Sequence, residues 1–111
     1  MQTIVIIESN DLEAKDIDLF LKEYKYKTVR IHELKKGVEL TKSVLPELIV
    51  MAIESDDRET MAAFLALRRD PITKDIPMIP TIRSNDRNLL ENIRKAGIHD
   101  YFVKPVNKVK F

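Results

Sequence analysis

Apolar residues along this chain follow two periodicities, and the two alternate. Short runs at residues 3–7 and 48–53 are rich in β-branched side chains and apolar at both parities, the pattern of parallel strands covered on both faces. Both are expected to be central strands. After the first run comes Asn10-Asp11-Leu12-Glu13, in which Asn10 can cap a helix and Glu13 can answer it three residues later. Ala14, Ile17, Phe20, Leu21 and Tyr24 then recur at helical spacing.

The alternation continues to the end. Residues 28–31 predict a strand, and Leu34, Val38, Thr41 and Leu45 form one helical stripe closed by Pro46. The second central strand is followed by a polar stretch and a helix carrying Met61, Phe64 and Leu65, then by the turn-rich Asp70-Pro71. Residues 78–82 predict a strand, and Leu89, Leu90 and Ile93 a helix ending at Ala96-Gly97, where glycine suits the position just past the last turn. A short strand at 101–103 comes last. Five strands alternating with four helices predict an α/β fold, a doubly wound open parallel sheet with helices on both faces and right-handed crossovers. Such sheets bind ligands beyond the carboxyl ends of their strands. The positions to inspect are therefore Glu8-Ser9, residues 52–54, Ile82-Arg83 and Lys104-Pro105.

Composition narrows the function classes. The 111 residues fit a single domain, 1–111. Nineteen basic against eighteen acidic residues give a formal charge of +1, so no global field draws the chain to nucleic acid or an anionic membrane. Arg68-Arg69, Lys35-Lys36 and the pair Lys108 and Lys110 lack interleaved aromatics and read as solvated surface. No cysteine is present, which excludes disulfides and thiolate zinc sites. His32 and His99 have no second ligand at metal-binding spacing. The first ten residues have no basic segment and meet a charge at Glu8, unlike a signal peptide or membrane span. The expected compartment is the cytoplasm.

The stretch from Lys95-Ala96-Gly97-Ile98-His99-Asp100 through Tyr101-Phe102-Val103-Lys104-Pro105, together with Glu8-Ser9 and Pro46-Glu47-Leu48-Ile49-Val50-Met51-Ala52-Ile53, resembles the receiver domain of bacterial response regulators. The resemblance covers nearly the whole chain and implies a flavodoxin-like sheet of order 2-1-3-4-5. It also implies a degenerate member, a pseudo-receiver. Phosphoryl transfer in this family needs a carboxylate nucleophile, a magnesium ion held by carboxylates, a hydroxyl and a lysine. Ala52 stands at the phosphoacceptor position and its methyl group cannot form an acyl phosphate. Ser9 replaces the second acidic residue, leaving Glu8, so magnesium binding is expected to be weak or absent and no cofactor is expected. Ile82 occupies the hydroxyl position. Thr81 beside it should face away, unless a bulge at Pro80 re-aims it. Lys104 either faces a phosphate or pairs with Glu8 across an empty pocket. Tyr101 matches the family's switch aromatic, and its alternative role is an amphipathic aromatic at the sheet edge.

A family fifth helix would need more than the six residues after Pro105, so that helix is expected to be absent or truncated. Val106, Val109 and Phe111 begin an apolar segment, and an uncovered apolar face would favour self-association as a homodimer. The leading expectation for function is a non-enzymatic, phosphorylation-independent interaction module docking a kinase, an output domain or a localisation partner around Arg87 and Tyr101. A second is a phosphotransfer receiver with a displaced acceptor, Glu54 or Asp57. A third, a flavin or nucleotide binder, lacks a glycine-rich loop, since Gly37 and Gly97 are the only glycines.

Overall fold

The computed structural model describes residues 2–53, 58–83, 87–98 and 100–104. In chain order it contains β1 (Thr3–Ile7), α1 (Asp11–Lys22), β2 (Lys27–Ile31), α2 (Leu34–Val44), β3 (Leu48–Ala52), α3 (Arg58–Arg69), β4 (Met78–Ile82), α4 (Arg87–Lys95) and β5 (Phe102–Val103). All neighbouring strands are parallel and the sheet order is β2-β1-β3-β4-β5. The two runs that are apolar at both parities are thus adjacent in the middle of the sheet, where both faces need cover. The last strand is shorter than its sequence suggests and leaves Tyr101 outside it.

Alternation along each strand divides the core in two. Val5, Ile7, Ile49, Met51 and Ile82 face Phe64 and Leu67 of α3, Leu89 and Ile93 of α4, and Leu34 and Val38 of α2. On the other face Ile4, Ile6 and Val50 meet Ile17 and Leu21 of α1. Beside α1 this second face opens into a groove of about 560 Å³, lined among others by Phe20, Ile79, Thr81 and Phe102. Residues 106–111, on which the expectation of a shortened fifth helix bears, lie outside the described residues.

Local contacts depart from the sequence reading at three points. Leu45 does not continue the stripe of α2 but caps it in the left-handed conformation, φ 50°, and is half exposed, because Pro46 cannot extend the helix. Arg68 is not solvated surface: its guanidinium donates to the carbonyls of Ala96 and Lys74 at 3.2 and 2.9 Å, tying the end of α3 to the end of α4. Asp18 is a buried carboxylate on α1. It accepts from the Thr28 hydroxyl and pairs with Lys22 and Arg30, each at 3.5 Å, which fastens α1 to β2.

Gly37 is where α2 comes closest to the sheet. A Cβ there would meet three side-chain carbons of Ile7 at 2.9–3.0 Å. Replacing a helical glycine with alanine ordinarily gains about 1 kcal/mol, whereas forcing a methyl into a packed core costs about 1–3 kcal/mol. Ile7 is buried between sheet and helix, so the second effect should win. Gly37→Ala is expected to lower the urea midpoint, and a raised midpoint would show that Ile7 yields.

Candidate functional site at the carboxyl end of the sheet

Sheet topology brings the ends of β1, β3, β4 and β5 to one edge, and with them four charged side chains. Glu8 follows β1, its N–H donating to Ile31 at 3.1 Å, and its side chain is only 1% exposed. Both of its oxygens are engaged. Oε2 accepts from the N–H of Asn10 at 3.1 Å, while Oε1 lies 2.5 Å from Nζ of Lys104. Lys104 follows β5, its N–H donating to the Ile82 carbonyl at 2.7 Å, and its side chain is 5% exposed. The same ammonium lies 2.6 Å from Oε2 of Glu13 in the first turn of α1. Arg83, just beyond β4, closes the cluster from the solvent side, with Nη1 and Nη2 at 2.7 and 3.4 Å from the two oxygens of Glu13.

Of the two sequence alternatives for Lys104, pairing with Glu8 is the one observed. Glu13 is a correction. Asn10 caps α1 by accepting from the Glu13 N–H at 3.0 Å, but the Glu13 side chain does not return to Asn10, because Lys104 and Arg83 offer full charges. Glu8 takes the Asn10 N–H instead. Glu13 stood out in the sequence only as a cap and Arg83 only as a strand-end position; their pairing, which spans seventy positions, was not legible there.

The remaining positions are apolar or lead elsewhere. Ala52 ends β3 and is buried, and Ser9 is exposed. Ile82 is fully buried in the core with α3 and α4. Thr81 is also buried, but it lines the groove beside α1, and its hydroxyl has no hydrogen-bond partner among the described residues. No bulge re-aims it, for the register from Ile49 opposite Met78 to Ala52 opposite Thr81 is unbroken. Pro80 fits without one. The Thr81 carbonyl serves Ile53 and the Ile82 carbonyl serves Lys104, so Pro80 faces the β5 side, where β5 pairs only with Thr81 and Ile82. Tyr101 is 37% exposed, and Arg87 opens α4 on the surface. Glu54, Asp57 and His99 lie outside the described residues.

The magnesium ion implied by the resemblance does not fit these residues. It prefers oxygen ligands, usually with one or two carboxylates. Ala52 offers a methyl group, and both carboxylates near the edge are already balanced by Lys104 and Arg83 together. Among the described residues no group of three or more His, Asp or Glu side chains is placed to hold a metal ion, and no helix is long and apolar enough to cross a membrane.

Burial pushes the Glu13 carboxyl up, but hydrogen bonds and charge from Lys104 and then Arg83 outweigh it and hold the group below the ordinary carboxylate range. A folded-state value below the unfolded one gives stability that is present above the unfolded value and lost as pH falls through the folded one. Glu13→Gln is therefore expected to flatten the decline in urea stability between about pH 5 and pH 3. An acid limb as steep as that of the unaltered chain would assign the decline to other carboxylates.

No family model matches the chain. It is 24% identical over 110 residues to the polar-differentiation response regulator DivK of Brucella anthropi, covering 99% of this chain and 89% of that protein. The DivK protein of Brucella ovis matches to the same extent. Among solved structures, the signal receiver domain of a DNA-binding response regulator from Colwellia psychrerythraea superposes with a TM-score of 0.85 at 19% identity, covering 98% of this chain and 90% of that one. The chemotaxis response regulator CheY4 of Vibrio cholerae gives 0.83 at 12% identity, covering 96% and 89%. The chain has the fold of receiver domains and is similar along nearly its whole length to response regulators.

Proposed function

We propose that this domain is a phosphorylation-independent interaction module of response-regulator signalling. The observation that carries the reading is Ala52 at the end of β3, where a receiver needs a carboxylate nucleophile, at the sheet edge that also holds a lysine already paired with Glu8 and Glu13. A methyl group has no lone pair to attack phosphorus, and no neighbour can activate it. Ile82, sealed in the core, supplies no hydroxyl, and Glu8 alone does not make a magnesium site. On this reading the domain needs no cofactor and is not an enzyme. It acts by docking a signalling protein: a kinase, an output domain or a localisation partner.

The docking surface we assign comprises α4 and the approach to β5. Arg87, Leu90, Glu91 and Arg94 border one shallow depression on α4, and Tyr101 offers an aromatic ring with a polar tip close to β5. Such a surface combines the residue types that carry binding energy at interfaces, Arg and Tyr, with an apolar contact between them.

Three measurements test the reading. In an amide NMR titration with magnesium and then beryllofluoride, Glu8, Ala52 and Lys104 are expected to stay silent. Saturable shifts reaching Tyr101 would show that the pocket senses a phosphoryl mimic and would end the proposal, as would added mass at Glu54 or Asp57 after incubation with a small phosphodonor. Against the kinases and output domains of its own cell, Tyr101→Ala and Arg87→Glu are expected to weaken the binding partner's affinity about tenfold or more. Unchanged affinity in both variants would move the interface elsewhere.

A further inference from the structure

Two turns at the amino-terminal end of the sheet hold apolar side chains out to solvent. Val44 and Leu45 close α2, and Ile72 lies in the turn between α3 and β4. They are 39, 52 and 59% exposed and stand outside both halves of the core. The two turns are tied together: Lys42 Nζ lies 3.0 Å from Oδ2 of Asp70, and the other oxygen of Asp70 accepts from the Ile72 N–H at 2.8 Å. Behind Ile72, the buried Thr73 hydroxyl donates to the Leu67 carbonyl at 2.7 Å, and the Arg68 guanidinium holds the Lys74 carbonyl. Ile72 is thus presented on a pinned turn, and Leu45 on one locked by Pro46.

Nothing inside the chain favours leucine at position 45. At φ 50°, glycine or asparagine serves without the conformational cost of a bulky side chain, and burial returns little to a residue half exposed. A gain made outside the chain accounts for it, and charge favours one occupant. In the same two segments Lys42, Arg69 and Lys74 balance Glu47, Asp70 and Asp75, so no net field draws a strongly charged partner. Both signs are interspersed around the apolar tips. A copy turned about a two-fold axis matches such a surface, setting plus against minus and apolar against apolar. We propose that Val44, Leu45 and Ile72 form the centre of an isologous contact between two copies of this chain. The contact lies at the opposite end of the sheet from Ala52 and Lys104 and does not depend on the phosphate-blind reading.

Three apolar tips make a contact smaller than a standard stable interface, so dissociation is expected at about 0.1–1 mM. Amide spectra of the unaltered chain recorded from about 0.05 to 2 mM should show saturable shifts centred on Val44, Leu45 and Ile72, with sedimentation equilibrium giving a dimer over the same range. Leu45→Asn combined with Ile72→Asn is expected to weaken association at least about tenfold. Asparagine tolerates the left-handed conformation, so this variant should keep its urea midpoint; if it does not fold, Leu45→Gly alone is measured under the same criteria. Leu12→Asn, which removes an equally exposed apolar side chain from α1, should leave association unchanged. The assignment is overturned by a chain that stays monomeric and silent to 2 mM, by association that survives the paired substitution or centres on other amides, or by an equal loss in Leu12→Asn.

Discussion

A carboxylate buried at the end of a central strand constrains this whole sheet edge. Glu8 lies between β2 and β3 with its side chain almost sealed from water, and an uncompensated charge in such a place costs several kcal/mol. Its compensation draws distant parts of the chain to one point: the start of α1 through the Asn10 N–H, and the end of β5 through Lys104. The strand β5 has only two paired residues, too short a ladder to fix its position firmly. The ion pair therefore serves β5 as a longer ladder would. Removing one member of such a buried pair costs about 3–5 kcal/mol, because the other is left charged and alone.

Most of the architecture could be read from local pattern. Strands apolar at both parities declared themselves central, the 3.6-residue stripes of α1, α3 and α4 face the sheet except at Tyr24, which lies past the end of α1 and is exposed, and Gly97 takes the positive φ, 86°, that its place after α4 predicted. What could not be read depended on partners far along the chain. Glu13 looked like one half of a capping box because the sequence shows Asn10 three residues before it, yet it is drawn away by charges seventy and ninety-one positions later. Arg68 resembled any helix-end cation until the fold presented it with the carbonyls of Ala96, at the end of α4, and Lys74. Leu45 matched the helical period, but the proline that follows it overrode the period. At the site itself, Ser9, Ala52 and Ile82 were visible as residue types without acidic or, at Ile82, hydroxyl chemistry, whereas Arg83, expected only at the end of a strand, acquired its partner from the fold.

The charge count at the edge bears on what the domain can respond to. Glu8 and Glu13 carry two negative charges and Lys104 and Arg83 two positive ones, all within one connected set of contacts. A phosphoryl group adds about 1.5 to 2 further negative charges, and a receiver built to hold one needs cations that its arrival can recruit. Here Lys104 would have to leave two carboxylates to meet it, exposing both to mutual repulsion in a site of low polarity. Even a non-covalent anion gains little from such an exchange. On the proposed reading the balanced cluster replaces the ligand-driven step altogether: β5 and the nearby Tyr101 are held by internal charges, and the surface beside α4 is presented in one arrangement, ready for a partner without a preceding signal at this edge.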